Sequence, residues 1–204
     1  MKKQNKLIYI SVSSLVLFIL TSILMQLGYF HGIDNLINSG MPSIQNPIIY
    51  NFSMVIHYLL DPITATIISL IIAILLWFKD SKRDSVVFAS IALAGAFLIG
   101  ILKLIFHTAR PINPIETGPS FSFPSGHTAF AVILFGFFIY LAKKYYKHIV
   151  RDEFYFLLVF FMLLIGFSRI YIQVHWFSDV LGGFFLGLFV ISTGFFINRL
   201  IKKK

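Results

Sequence analysis

Three short groups of polar residues have the types and spacings that chemistry on a charged anion requires: Lys103 with Arg110, Ser125-Gly126-His127 after Pro124, and Ser168-Arg169 followed by His175 and Asp179. Lys103 and Arg110 are seven residues apart, which at about 100° per residue leaves them within roughly 20° of one helical face. Two long cations aimed at one spot suit phosphate oxygens, and the planar fork of Arg suits them best. Ser125 reads as the cap of a helix and Gly126 leaves its backbone open to close approach; the free N–H groups of a helix start form an anion site. His175 and Asp179 are four apart. On a helical stretch the carboxylate holds one imidazole nitrogen while the other points outward as nucleophile or base. Arg169 adds a second guanidinium fork.

Each group alone has a plainer use. Basic side chains near a membrane span can snorkel to headgroups, Ser125 can simply cap its helix, and an intramembrane His–Asp pair can be a proton relay or a structural tie. Convergence selects the anion site. Three fixed cations, a helix N-terminus and two histidines on one membrane face fit a phosphate dianion.

The elements that must carry these groups are set by composition. The chain has 204 residues, 58% hydrophobic and 12% charged, with 24 Phe and a mean hydropathy of +0.86. That excludes an ordinary soluble domain and disorder alike, because so much apolar surface needs lipid as its solvent. There are no cysteines, which removes disulfides, thiolate metal sites and cysteine nucleophiles. Six uncharged runs stand out: Leu7 to Phe30, Pro62 to Phe78, Ser85 to Leu102, Gly126 to Ala142, Phe154 to Ser168 with its neighbours, and Val180 to Asn198. Each is near the ~17–25 residues that a transmembrane helix needs. The first exceeds the ~7–15 apolar residues of a signal peptide and reads as a membrane anchor. The fold expected is all-α, one polytopic membrane domain over residues 1–204 with six transmembrane helices.

A net charge of +9 would raise nucleic-acid binding on a soluble chain. Its distribution says otherwise. With the N-terminus in the cytoplasm, Lys2, Lys3, Lys6, Lys79, Lys82, Arg83, Lys143, Lys144, Lys147, Arg151, Arg199, Lys202, Lys203 and Lys204 all fall inside, 14 of 17 basic residues. The positive-inside rule then sets both termini as cytoplasmic, and no nucleic-acid partner is expected. Only Lys103, Arg110 and Arg169 remain outside, at the ends of spans three and five. An outer link over residues 31–61 holds Asn46-Pro47 and an apolar stretch, Ile48 to Leu60, expected as an interfacial helix. Asp61-Pro62 reads as a cap followed by Pro at the first helical position. Residues 111–124 carry Pro111, Asn113-Pro114, Gly118-Pro119 and Pro124, too many breakers for a helix. Ala92, Ala96 and Gly100, like Gly183 and Gly187, form small-residue faces whose expected use is close helix packing.

Taken in order, Lys103, six residues, Arg110-Pro111, then Pro124-Ser125-Gly126-His127, then Ser168-Arg169, five residues, His175, three residues, Asp179 resembles the complete three-part signature of the type 2 phosphatidic acid phosphatase superfamily. Every specified position over residues 103–179 is filled, and the six-span layout resembles the bacterial lipid phosphatases of that superfamily. The resemblance implies that His175 attacks phosphorus to give a phosphohistidine, that Asp179 orients and stabilises it, and that His127 protonates the departing oxygen. It implies Lys103, Arg110, Ser125, Gly126, Ser168 and Arg169 as holders of the phosphoryl oxygens, with no metal and no cofactor.

The expected function is therefore an extracytoplasmic, membrane-embedded, bacterial lipid phosphatase. Undecaprenyl diphosphate and phosphatidylglycerophosphate are the expected substrates, with phosphatidic acid and its relatives compatible; membrane lipids are the only other partners implied. Two rivals differ in class: an outer basic ring that binds anions in a channel or transporter without hydrolysis, and a vanadate-dependent haloperoxidase, which shares the signature but on a soluble helical build. Among the remaining polar residues, His57, Asp61 and His107 are expected to cap helices or sit at the interface rather than line the substrate entrance, and Glu116 receives no role. Tyr171, Trp176 and Phe177 are expected as interface aromatics.

Overall fold

The computed structural model describes residues 2–111, 115 and 120–201, with side chains from Lys6 onward. Glu116, Asn113-Pro114, Gly118-Pro119 and Lys202, Lys203 and Lys204 lie outside the described residues, as do the side chains of Lys2 and Lys3. The described residues form eight α-helices and one 3-10 turn, with no strand among them: α1 Lys2–Gln26, α2 His31–Gly40, the 3-10 turn Met41–Ile44, α3 Pro47–Leu59, α4 Pro62–Phe78, α5 Lys82–Phe106, α6 Gly126–Tyr145, α7 Asp152–Tyr171 and α8 Phe177–Ile201.

The six apolar runs became α1, α4, α5, α6, α7 and α8. Five of these are long and apolar enough to cross a bilayer, and a sixth span is reached when α3 and α4, bent by 62° at their junction, are counted together. The 17 residues of α4 stand at the lower end of the ~17–25 range. Its sequence explains its placement. Ile63, Ile67, Ile71, Ile74 and Phe78 recur at steps of three and four and stay exposed, while Ala65, Ser69 and Ala73 are buried and let α5 approach.

The long first link is more structured than one interfacial helix. Gly28, at φ +82°, turns the chain out of α1, a conformation only glycine adopts without strain. The unanticipated α2 follows, and its one buried residue is Asp34. The expected interfacial helix is α3: Asn46 Oδ1 accepts the Ile48 N–H at 2.9 Å and Pro47 opens the first turn. Asp61 caps α4 as its spacing suggested, Oδ2 accepting the Ile63 N–H at 3.0 Å.

α5 stops at Phe106, because His107 adopts a left-handed turn at φ +48°, and Arg110 lies in the loop beyond it. Helical phase therefore does not align Lys103 with Arg110. The residue before a proline avoids helical geometry, which applies to Arg110, and residues 107–109 are non-helical as well.

α6 and α8 form the centre. Gly126 through Leu134 are all buried, and Phe137 stacks on Phe88 of α5 with centroids 3.8 Å apart. Gly183 and Gly187 do what their spacing suggested: a Cβ at Gly183 would fall 2.4 Å from the Ser125 carbonyl oxygen, and one at Gly187 would fall 2.7 Å from that of Ala129. α1 packs chiefly along α8, with Ser11 Oγ and Thr193 Oγ1 2.6 Å apart.

The two ends of the bundle carry opposite designs. At one end Asp84 is buried and receives Lys144 Nζ at 2.7 Å, the Tyr140 hydroxyl at 2.9 Å and the Tyr145 hydroxyl at 2.5 Å, while Arg83 Nε donates to Asn198 Oδ1 at 2.7 Å. These bonds fasten α5, α6 and α8 among the basic residues. At the other end the signature residues meet.

Candidate active site

His175 lies in the link between α7 and α8, and the start of α8 is built to hold it. Asp179 is the third residue of that helix. Its Oδ2 accepts the Trp176 N–H at 2.8 Å, as an N3 carboxylate does in a capping box, and lies 3.2 Å from His175 Nδ1. Ser122 Oγ faces Oδ1 at 3.3 Å. A carboxylate next to Nδ1 fixes the proton there and leaves the Nε2 lone pair outward. Burial holds the His175 imidazole well below its usual 6.5, and the Arg110 and Lys103 cations push it further down. The ring is therefore neutral at physiological pH.

The cations arrive from α5 and the loop after it. Arg110 Nη1 donates to the Val174 carbonyl at 2.7 Å and stands 3.3 Å from His175 Nε2, while its Nε donates to Ser120 Oγ at 2.8 Å. Lys103 Nζ donates to the Phe121 carbonyl.

The α6 start is positioned by the Ser125 N–H, which donates to the Asp179 carbonyl at 3.0 Å. Ser125 occupies the cap position, but its hydroxyl makes no cap bond; it accepts from Thr128 Oγ1 at 3.1 Å. That leaves the first-turn N–H groups of Gly126 and His127 without an intrahelical acceptor. His127 Nε2 lies 3.0 Å from the His57 carbonyl oxygen. A carbonyl only accepts, so Nε2 carries a proton and Nδ1 is the nitrogen available for exchange.

These groups share one cavity of about 560 Å³, lined by Lys103, Arg110, Ser120, Gly126, His127 and His175 at its polar end and by Ile63, Thr66, Ile67, Ala96, Ile99 and Gly100 of α4 and α5 along its apolar wall; Asp61, expected only as a cap, also lines it, because capping places it at the mouth between α3 and α4. Gly100 does not pack a helix, contrary to expectation. A Cβ there would meet nothing within 4 Å, so its small size keeps the cavity open.

Ser125, Ser168, Arg169 and Asp179 stand behind this lining. Arg169 is fully buried and its Nε donates to Ser168 Oγ at 3.1 Å; Nη2 donates to the Ser53 carbonyl at 2.7 Å, and Nη1 lies 3.0 Å from His57 Nδ1. By residue type His57 is expected to cap a helix or sit at the interface. Instead it contacts both Arg169 and His127, whose ring it stacks on at 5.5 Å with planes 15° apart. Its signal was Ser53, four residues earlier on the same face of the helix. Asp34 was also missed: Oδ1 accepts the Ser178 N–H at 3.0 Å and Oδ2 the Ser178 hydroxyl at 2.7 Å, so α2 caps α8 one residue before Asp179. His107 is exposed, edge-on to Phe121 at 4.4 Å. Of the expected interface aromatics, Tyr171 is buried, its hydroxyl donating to the Ile44 carbonyl at 3.1 Å.

The model of the PAP2 superfamily matches residues 84–200. Phosphatidylglycerophosphatase B of Bacillus subtilis (strain 168) is 36% identical over 100 residues, 47% of this chain and 49% of that protein, so the match spans about half the length of the relative. The three-dimensional arrangement is similar to the crystal structure of the first transmembrane PAP2 type phosphatidylglycerolphosphate phosphatase from Bacillus subtilis, with a TM-score of 0.81 and 26% identity over 96% of each chain. Aquifex aeolicus LpxE shares the fold, with a TM-score of 0.57 and 24% identity over 80% of this chain and 93% of that one. Every signature residue falls inside the 84–200 match; Asp34 and His57 fall outside it.

Proposed function

The chain belongs to the PAP2 superfamily, and from that premise we propose that it is a metal-independent lipid phosphatase whose site opens at the extracytoplasmic face of a bacterial cell membrane. One observation carries the reading: a single cavity joins the outward Nε2 of His175, two cations and a helix start to an apolar wall on α4 and α5. Such a cavity takes a phosphate head at its polar end while the lipid chain lies along the wall.

The chemistry follows from the proton positions. The Nε2 lone pair of His175 attacks phosphorus as the bond from phosphorus to the leaving oxygen breaks, and the Nδ1 proton of a cationic His127 goes to that oxygen. Asp179 stabilises the positive charge that the modified imidazole acquires. Water then attacks the phosphohistidine, His127 takes a proton back, and the P–N bond electrons return to Nε2 of His175. Lys103, Arg110 and the Gly126 N–H neutralise the equatorial oxygens, which is where charge gathers in phosphoryl transfer. Ser125, Ser168 and Arg169, which the signature also assigns to the oxygens, stand one side chain further back. The lipid phosphates that fit are undecaprenyl diphosphate and phosphatidylglycerophosphate, with phosphatidic acid as a smaller relative. The extracytoplasmic placement is supported by the basic residues gathered at the opposite end of the bundle.

Purified protein in detergent should release inorganic phosphate from a prenyl diphosphate or phosphatidylglycerophosphate with a chelator present, and His175→Ala should abolish the release while keeping its melting temperature. Anion transport without turnover would replace this reading with a channel or transporter. Vanadate should inhibit; vanadate-dependent halide oxidation would move the chain to the haloperoxidase branch.

A further inference from the structure

α3 lies outside the stretch that the family model matches, yet it supplies the groups that meet Arg169 and His127 from behind. A guanidinium has donors only. At 3.0 Å from Arg169 Nη1, Nδ1 of His57 must therefore be the acceptor, and the ring proton sits on Nε2. The same guanidinium donates to the Ser53 carbonyl at 2.7 Å, about one helical turn earlier. Two anchors a turn apart fix both the position and the rotation of α3. His57 in turn touches His127 twice, through its carbonyl 3.0 Å from Nε2 and through a near-parallel ring stack at 5.5 Å. The carbonyl holds one N–H of His127, and the stacked ring opposes the flip that would exchange its two nitrogens. That leaves Nδ1 to the cavity which His127 lines.

We infer that His57 is a positioning residue for the general acid: pinned by Arg169, it holds His127 so that Nδ1 faces the leaving group. The inference rests on the phosphohistidine reading above. It extends the catalytic apparatus to a helix beyond the signature and ties the buried Arg169 to the group that delivers the proton.

The test compares two substrates. The alkoxide of a short-chain alkyl phosphate needs a proton to leave; the phenolate of para-nitrophenyl phosphate leaves unaided. His57→Ala and His57→Phe should lower kcat/KM for the alkyl ester by about 30–100-fold and for the aryl ester by no more than about threefold, since a positioned acid contributes roughly that much and only where a proton is required. His57→Asn, with an acceptor oxygen near the place of Nδ1, should restore the alkyl ester to within about fivefold. Equal losses on both substrates that track melting temperature, unchanged alkyl turnover, or failure of the Asn variant to rescue would overturn the inference. A second arm needs no turnover. In nitrogen-15 histidine spectra of the whole protein, assigned by the signal lost in His57→Asn, His57 should be the neutral Nε2–H tautomer; an Nδ1–H tautomer would overturn the pin to Arg169. Should the unaltered protein hydrolyse neither these esters nor phosphatidylglycerophosphate nor a prenyl diphosphate, the phosphatase reading fails, and the spectra still decide the pin.

Discussion

Arg110 Nη1 stands 3.3 Å from His175 Nε2, so the guanidinium faces the lone pair of the nitrogen proposed to attack phosphorus. The nucleophile is covered by a cation that must turn aside. An incoming phosphate supplies the reason to turn, because its oxygens are stronger acceptors for a guanidinium than an imidazole nitrogen is.

Removing that cation should expose the nucleophile and still slow the reaction. Arg110→Ala is expected to lower kcat/KM by about 10²–10³-fold, the usual loss when one donor to a developing oxyanion is deleted. Arg110→Lys should recover little, since an ammonium lacks the planar fork. Steady-state kinetics of both variants check this; equal activity in the Lys variant would refute the fork argument.

Asp179→Asn should do its damage through the tautomer. The amide can donate toward Nδ1 of His175, which moves the proton to Nε2 and removes the lone pair. A loss in kcat of about 10³–10⁴-fold with little change in KM is expected. Failure to trap a phosphohistidine on rapid acid-free quench should accompany it.

The pH dependence follows from the burial of His175. With its folded pKa held well below 6.5, the acid limb of kcat/KM should lie below that value, while loss of the His127 proton sets the opposite limb, giving a bell. A flat profile would remove both roles. Stability carries the same sign. An unfolded His takes up its proton near 6.5 and the buried one does not, so stability is full above about 6.5 and is lost as pH falls through the depressed folded value. His175→Ala should lessen that acid sensitivity in melting curves.

Gly100 sets the width of the apolar wall. Gly100→Leu places four heavy atoms where a Cβ now meets nothing, and should cut turnover of a long-chain lipid phosphate about tenfold more than that of a short-chain one. That contrast corresponds to burying roughly one fewer apolar segment, about 1–2 kcal/mol. Equal losses for the two chain lengths would place the lipid elsewhere.

Away from the site, Lys144→Met should destabilise the bundle by about 1–3 kcal/mol, since it leaves the buried Asp84 carboxylate with two hydroxyls and no cation. Thermal denaturation in detergent reads this directly. Asp84→Asn with Lys144→Met should recover part of the loss.

Much of this was legible in residue order. Hydropathy located the six long helices because each must satisfy its own backbone in lipid, and the Pro and Asx signals at Asn46-Pro47 and Asp61-Pro62 marked two helix starts that the structure retains. The signature residues converge as their pattern suggested, although Arg110 does so from a loop and not by helical phase. What stayed hidden depended on long-range contacts. His57 looked like an interface residue because Arg169 is over a hundred positions away, and nothing in the sequence around Asp34 shows that it caps α8. Gly100 repeats a packing motif and serves as empty space, a distinction that rests on what faces it.

The pairing of α1 with α8 also bears on how the protein is made. α1 enters the bilayer long before its main partner exists, and it waits there carrying Ser11, Ser14, Thr21 and Ser22, all buried in the finished bundle. Thr21 and Ser22 turn their hydroxyls back to the carbonyls of Leu17 and Phe18, each at 2.8 Å, so this face tolerates lipid during the delay. Ser11 differs, because its partner is Thr193. The arrival of α8 seats α1 and places His175 and Asp179 in the same event, so the cavity that His175 lines is complete only once α8 has packed.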